Sequence, residues 1–267
     1  MSIQRDSLNN LREQIASGFL IAEHREEGGV HHFILPALEY NAYTISIPDG
    51  AEVRKYIASD EFARAKMVPI KIGVALLDLV GFSANADEVQ LKMIVRYQCE
   101  VRKAIGKFSV TRMLSIGDGT IFIFEDNAIS SMPECMMAID HAIAGFNLDS
   151  KWDGVPEIIH RMGAHVGMGY CFRDINRDQN YIGTGVNMAQ RISTLVPDMD
   201  DQSICFELRS PIYVSIDAKA EYENRGLPAG IRFFDAGVQP VKHGIRVHVY
   251  ALCRETKESI KIRLPKS

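Results

Sequence analysis

Apolar residues run almost unbroken through VPIKIGVALLDL, the front of residues 68–83. A short β-branched run of that kind marks a buried strand. Residues 87–105, DEVQLKMIVRYQCEVRKAI, change period: Leu91, Ile94, Val95 and Val101 fall near helical spacing. Asp87 is placed to start that helix, and no Gly or Pro interrupts it. FSVTRMLSI and TIFIF then read as two strands joined at Gly117-Asp118-Gly119. Two apolar runs joined by Asp-Gly predict a hairpin, because glycine accepts the positive φ of a tight turn. SSMPECMMAIDHAIAGF (130–146) predicts a second helix, with Pro133 tolerated near its first turn. IIHRMGAHVGMGYC (158–171) predicts a strand crowded with small residues. The order is βαββαβ, the ferredoxin-like arrangement. A third helix is expected from about Gly185 through VNMAQRISTLV, and SICFEL, IRFFDAG and IRVHVYALC are three further β-rich pieces.

The fold class is therefore α/β (α+β): a ferredoxin-like core with C-terminal β-rich additions. Residues 68–253 form the main domain, and residues 254–267 a basic tail ending in IKIRLPKS. Residues 1–67 are an N-terminal extension of unassigned role, expected to hold one helix (about 4–20) and the strand VHHFIL. His31 and His32 point to opposite faces of that strand, which argues against a joint metal site.

Composition narrows the function classes. The chain has 267 residues, 46% of them apolar, and a net charge of −4, which lacks the basic footprint of nucleic-acid binding. Its five cysteines (Cys99, Cys135, Cys171, Cys205, Cys253) are scattered with no C-x-x-C, so neither a disulfide framework nor a cysteine zinc site is expected. MSIQRDSLNNLREQ has no signal-peptide core, and no apolar run reaches the roughly 20 residues of a membrane span. A cytoplasmic protein without a membrane span is the expectation.

Two acids stand where chemistry is possible. Asp78 ends the first strand and Asp118 sits at the hairpin tip. In a βαββαβ sheet those strands are neighbours, so the two carboxylates converge at one edge. Such a pair stays ionised only with cations between them. Two Mg²⁺ or Mn²⁺ ions meet that need and are the usual apparatus for in-line displacement at phosphorus. The competing reading makes Asp118 a turn former only. On the third helix, Asn187 and Arg191 lie four residues apart and share a face. Val186, Ala189 and Ile192 are apolar on the other. An amide and a guanidinium so placed can orient a substrate and meet charge growing on a phosphate.

LLDLVGFS, LSIGDGTIFIF, HRMGAHVGMGYC and YIGTGVNMAQRIS, in that order, resemble the catalytic domain of class III nucleotidyl cyclases over roughly residues 68–253. The resemblance implies that Asp78, Asp118 and the Leu79 carbonyl hold two metal ions. It implies that backbone amides around Gly81, Phe82 and Ser83 hold phosphates, that Asn187 orients the ribose, and that Arg191 stabilises the transition state. Lys242 is the candidate for reaching the triphosphate, whereas Arg161 reads as structural. The family's sites are shared across a dimer, so a homodimer with two sites is implied.

The base-reading positions depart from the purine cyclases. The residue four before the hairpin Asp, Lys or Glu in those enzymes, is Leu114. The residue seven before the catalytic Asn is Asn180. Leu114 offers no hydrogen bond, while Asn180 both donates and accepts and can pair with uracil or cytosine. Arg112 shares the strand parity of Leu114 and can add a contact to a carbonyl. The chain is thus similar to the pyrimidine cyclases of bacterial anti-phage signalling. UTP is the expected substrate, CTP the next, and cUMP or cCMP the product for a downstream effector. An adenylate cyclase is the alternative reading, and a catalytically silent nucleotide sensor the second.

Overall fold

The computed structural model describes residues 8–17, 20–36, 42–66, 68–148, 156–174, 176, 178–195, 212–227 and 229–254. The chain divides into two compact units: Met1–Ile70 with Tyr170–Ile182, and Lys71–Gly169 with Gly183–Ser267.

The first unit holds helix α1 (Leu8–Ala16), which ends before the expected residue 20, while the expected start at about residue 4 lies outside the described residues. Strands β1 (Glu23–Glu27), β2 (Val30–Pro36) and β3 (Ala42–Pro48) form an antiparallel sheet in that order. Helices α2 (Ala51–Ile57) and α3 (Asp60–Ala65) follow. Phe33, Leu35, Ile45, Val53, Tyr56 and Phe62 belong to its buried core. α1 and β2 were legible beforehand. β1, EHREE, is almost wholly exposed and carries no apolar alternation.

The second unit is built on β4 (Ile70–Leu79), α4 (Asp87–Ile105), β5 (Arg112–Ile116), β6 (Gly119–Glu125), α5 (Met132–Leu148) and β7 (His160–Arg173). These are the six elements expected, in the order expected. β8 (Gln179–Ile182) pairs with the far end of β7 in the first unit, and α6 (Thr184–Ser193) follows it. β9 (Ile212–Ser215), α7 (Ile216–Arg225), β10 (Ile231–Pro240) and β11 (Arg246–Arg254) complete the chain. The main sheet runs β10-β11-β9-β7-β4-β6-β5, so its last four strands, β7-β4-β6-β5, keep the ferredoxin-like order. SICFEL lies outside the described residues. α7 escaped the sequence pattern because its stripe is narrow: only Ala218 and Tyr222, four apart, are buried.

Residue parity assigns the two faces of this sheet. Ala75, Leu77, Leu79, Phe122, Phe124, Met162 and Ala164 share one core with Tyr97 and Val101 of α4 and Cys135, Ile139 and Ile143 of α5. On the other face, Ile192 of α6 packs in a cluster with Tyr213, Val249 and Ala251. The bounds of α4 match expectation, but its buried face does not. Leu91 and Val95 are 64% and 54% exposed, and Met93, Tyr97, Glu100 and Val101 are buried instead. Glu100 is tolerated there because Arg96 and Lys103 meet its carboxylate at 3.1 and 3.0 Å. Asp87 and Glu88 in the first turn, with Arg102 and Lys103 in the last, also suit the helix dipole.

Candidate active site

The β4–β6 register brings the two acids together. Asp78 lies directly opposite Gly119, the residue that follows Asp118. Gly117 and Asp118 form the two-residue turn between β5 and β6, where Ile116 pairs with Gly119. Gly117 takes φ 70° and Asp118 stays at negative φ, the sign pattern of a type II′ turn with glycine first. Asp118 is thus a turn residue one position before the strand partner of Asp78. Both are half-buried.

Asp78 alternates with the core-facing Leu77 and Leu79, so it points to the α6 face of the sheet. Arg161, at the start of β7, faces it there. Its Nε and Nη2 donate to Oδ2 of Asp78 at 2.9 and 2.6 Å. The other oxygen, Oδ1, has no hydrogen-bond partner among the described residues. Arg161 therefore supplies a cation to the acid pair, a contact that its position in the sequence did not reveal. Beneath the pair, the buried Tyr97 hydroxyl donates to Thr120 Oγ1 at 2.8 Å. Burial raises the Tyr97 pKa, and the nearby Asp78 charge adds to that rise. This hydroxyl is a fixed neutral donor at any physiological pH.

The loop after β4 turns at Gly81, in the left-handed region at φ 69°, into a single 3-10 turn over Phe82–Ala84. Asn85 Nδ2 closes it by donating to the Gly81 and Phe82 carbonyls at 3.0 and 3.2 Å. Gly81, Phe82 and Ser83 thus lie in a braced loop directly beyond Leu79.

α6 is held to β7 by close backbone approach. A Cβ on Gly163 would lie 2.1 Å from the Ser193 nitrogen and 2.7 Å from the Ala189 carbonyl, so only glycine fits. That packing buries Gly185, Ala189, Ile192 and Ser193 and leaves Asn187 exposed and Arg191 half-exposed. Val186, expected on the apolar face, is only half-buried. Neither the Asn187 nor the Arg191 side chain has a polar partner among the described residues. Two unpaired polar groups on one helix face are available to a ligand.

Comparison with solved structures finds the same architecture repeatedly. The adenylyl cyclase CyaB from P. aeruginosa matches at 19% identity and a TM-score of 0.57, covering 71% of this chain and 97% of that one. The guanylyl cyclase Cya2 matches at 17% identity and 0.54, over 72% and 95%. The guanylate cyclase domain of RhGC from Catenaria anguillulae, in complex with GTP, matches at 13% and 0.55, over 71% and 100%. The fold is that of a class III nucleotidyl cyclase catalytic domain. No protein-family model matches the chain, and neither does any curated protein.

Within this cyclase fold the base-reading candidates fall as follows. Leu114 pairs with Ile121, which shares the face of Leu76 and Asp78, and Arg112 pairs with Ile123 on that same face. Leu114, Arg112 and Asp78 therefore share one sheet face. Asn180 lies on β8 in the first unit, opposite Phe172, and its Oδ1 accepts the Tyr181 backbone N–H at 2.8 Å. Lys242 is exposed at the tip between β10 and β11, in a 3-10 turn rather than on a strand. Sheet order puts β9 and β7 between its hairpin and β4.

Proposed function

We propose that the chain is a nucleotidyl cyclase that converts a pyrimidine nucleoside triphosphate, UTP before CTP, to the 3′,5′-cyclic monophosphate and pyrophosphate. The observation that carries this reading is the register that sets Asp118 next to Gly119, the strand partner of Asp78, at the end of a sheet face that Asp78 shares with Leu114 and Arg112. Two carboxylates, one at the end of β4 and one in the adjacent turn, with one guanidinium among the described residues on Asp78, retain acceptor capacity for hard divalent cations. Asp78, Asp118 and the Leu79 carbonyl would hold two Mg²⁺ or Mn²⁺ ions, which supply activation of the ribose 3′-hydroxyl and neutralisation of the departing pyrophosphate.

The remaining work falls to the chain's own residues. Backbone amides around Gly81, Phe82 and Ser83 hold phosphate oxygens. Asn187 orients the ribose for in-line attack, which is mostly a positioning task. Arg191 meets charge that grows on the α-phosphoryl group. Lys242 reaches the triphosphate from the β10–β11 hairpin. Asn187 and Arg191 act on the site of a second copy, so a homodimer holds two shared sites. Leu114 excludes a purine edge that needs hydrogen bonds, and Arg112 and Asn180 read a single-ring base. We extend the proposal to a role as second-messenger synthase in bacterial antiviral signalling, feeding a cyclic-nucleotide effector, on the departure of Leu114 and Asn180 from the purine-reading residues.

The test is incubation of the purified chain with each nucleoside triphosphate and Mn²⁺, with products identified by mass. Cyclic UMP in wild type and none in Asp118→Ala supports the reading. Cyclic AMP alone selects the adenylate cyclase alternative, which the likeness to an adenylyl cyclase of known structure favours. No cyclic product from any nucleotide selects the silent sensor.

A further inference from the structure

The first unit carries a cluster of metal-ligating side chains in a separate unit from the acid pair. His31 on β2 is buried at 4% exposure, with both ring nitrogens aimed at polar groups. Its Nε2 lies 3.0 Å from Asp49 Oδ1, and its Nδ1 lies 3.2 Å from His24 Nε2. Glu26 is directly opposite His31 in the β1–β2 register. One ligand atom each from Glu26, His31 and Asp49 lies within 4.8 Å of the others. Asp49 follows β3 and is pinned by its backbone N–H, which donates to the Gly29 carbonyl at 2.8 Å. His32, on the opposite face, is paired separately with Ser46 Oγ at 2.9 Å.

We propose that Glu26, His31 and Asp49 form a binding site for a divalent transition-metal ion of the zinc class, with His24 as the group that positions the His31 ring. One imidazole and two carboxylates suit Zn²⁺ and its neighbours, whereas an imidazole ligand argues against Mg²⁺. Ligand atoms about 2.0–2.1 Å from a zinc ion stand roughly 3.0–3.4 Å apart near a tetrahedral angle. The 3.0 Å between His31 Nε2 and Asp49 Oδ1 meets that spacing. In the metal-free chain the Nε2–H donates to Asp49, because a carboxylate only accepts. With metal on Nε2, the ring proton moves to Nδ1 and is donated to His24 Nε2. A ligating histidine held through its other nitrogen is the usual outer arrangement of such sites. Glu26 is exposed, so one coordination position opens to solvent. The ion would tie together β1, β2 and the connection into α2, in a unit whose own core is small.

One group opposes the ion. Arg54 on α2 donates from Nε to Asp49 Oδ1 at 2.8 Å and from Nη2 to Oδ2. Its side chain is 71% exposed, so the guanidinium can leave for water without a buried charge. Arg54 is a competitor for Asp49, and its removal should strengthen metal binding.

The experiment uses the full chain carrying Asp78→Asn and Asp118→Asn, so that the acid pair of the second unit takes no metal. After chelator dialysis, Zn²⁺ is titrated calorimetrically. One zinc per chain is expected. Asp49→Asn and Glu26→Gln should each weaken binding tenfold or more, and His24→Phe by roughly 10–100-fold. Arg54→Met should bind several-fold tighter, and the melting temperature should rise with zinc in proportion. Glu26 is exposed, so its variant tests the site even where His31→Ala fails to fold. Absence of stoichiometric zinc overturns the proposal. So does unchanged affinity in Glu26→Gln and Asp49→Asn, or an Arg54→Met variant that only loses stability.

Discussion

Arg161 places two N–H donors on one oxygen of Asp78, Nε at 2.9 Å and Nη2 at 2.6 Å, and the other oxygen has no hydrogen-bond partner among the described residues. The acid pair at the β4–β6 end is thus half-compensated by the chain itself. Both side chains are partly exposed, at 30% and 23%, so the pair contributes no more than about 1 kcal/mol. Replacing Arg161 by Met should lower the melting temperature of the metal-free chain by about 2–4 °C. The rise on adding Mn²⁺ should exceed that of wild type, because the ion then meets an uncompensated pair. Thermal melts with and without Mn²⁺ check this; equal shifts in the two proteins contradict it.

The contact of α6 with β7 gives a second prediction. An added methyl at Gly163 would meet the Ser193 nitrogen at 2.1 Å and Cα at 2.6 Å, both backbone. Gly163→Ala should therefore cost about 2–3 kcal/mol or displace α6. Where α6 is displaced Arg191 moves with it, and turnover should fall further than the folded fraction does. Denaturant unfolding alongside kcat separates the two effects.

Much of this was legible in the sequence, for physical reasons that differ by element. β4 is an almost unbroken apolar run, α4 has no Gly or Pro to interrupt it, and Gly117-Asp118-Gly119 is explicit turn chemistry, so the βαββαβ order and the hairpin turn at Asp118 followed. Arg161 was visible only as a charged residue at a strand start. Its partner depends on β7 lying next to β4, a long-range pairing that no local pattern encodes. The buried face of α4 was misassigned because Leu91 and Val95 are apolar yet exposed, while the buried Glu100 is satisfied by two cations on its own helix. The cluster around His31 was missed because its members come from β1, β2 and the residue after β3.

A pH dependence follows from His165. Burial holds this imidazole below its ordinary 6.5, while Asp217, at 3.8 Å, pulls the other way. Its Nδ1 lies 2.8 Å from Ser215 Oγ, which also accepts the Ala218 N–H at the start of α7. Below pH 6.5 the unfolded chain takes a proton that the folded chain resists. Stability contributed by His165 is therefore complete above 6.5 and lost as pH falls toward the lower folded value. Melting curves from pH 8 to pH 5 should decline more steeply for wild type than for His165→Gln. Parallel curves would contradict this assignment.

Shared sites predict complementation. Asp78→Ala and Arg191→Ala should each be inactive alone. Equal mixing after subunit exchange should restore about a quarter of wild-type turnover, since half the dimers are mixed and each holds one intact site. Persistent inactivity in demonstrated mixed dimers would refute the division of the site between copies.

The most direct measurement is a competition assay in which UTP, CTP, ATP and GTP are present together at equal concentration with Mn²⁺. Cyclic products and pyrophosphate are quantified in the same samples. Cyclic nucleotide and pyrophosphate are expected in equal amounts, with cUMP the main product, cCMP second, and none from Asp118→Ala. A discrimination of about tenfold or more against purines corresponds to one buried polar edge left unpaired at Leu114. Predominant cAMP or cGMP would contradict the pyrimidine assignment, and pyrophosphate without any cyclic product would contradict the cyclase itself.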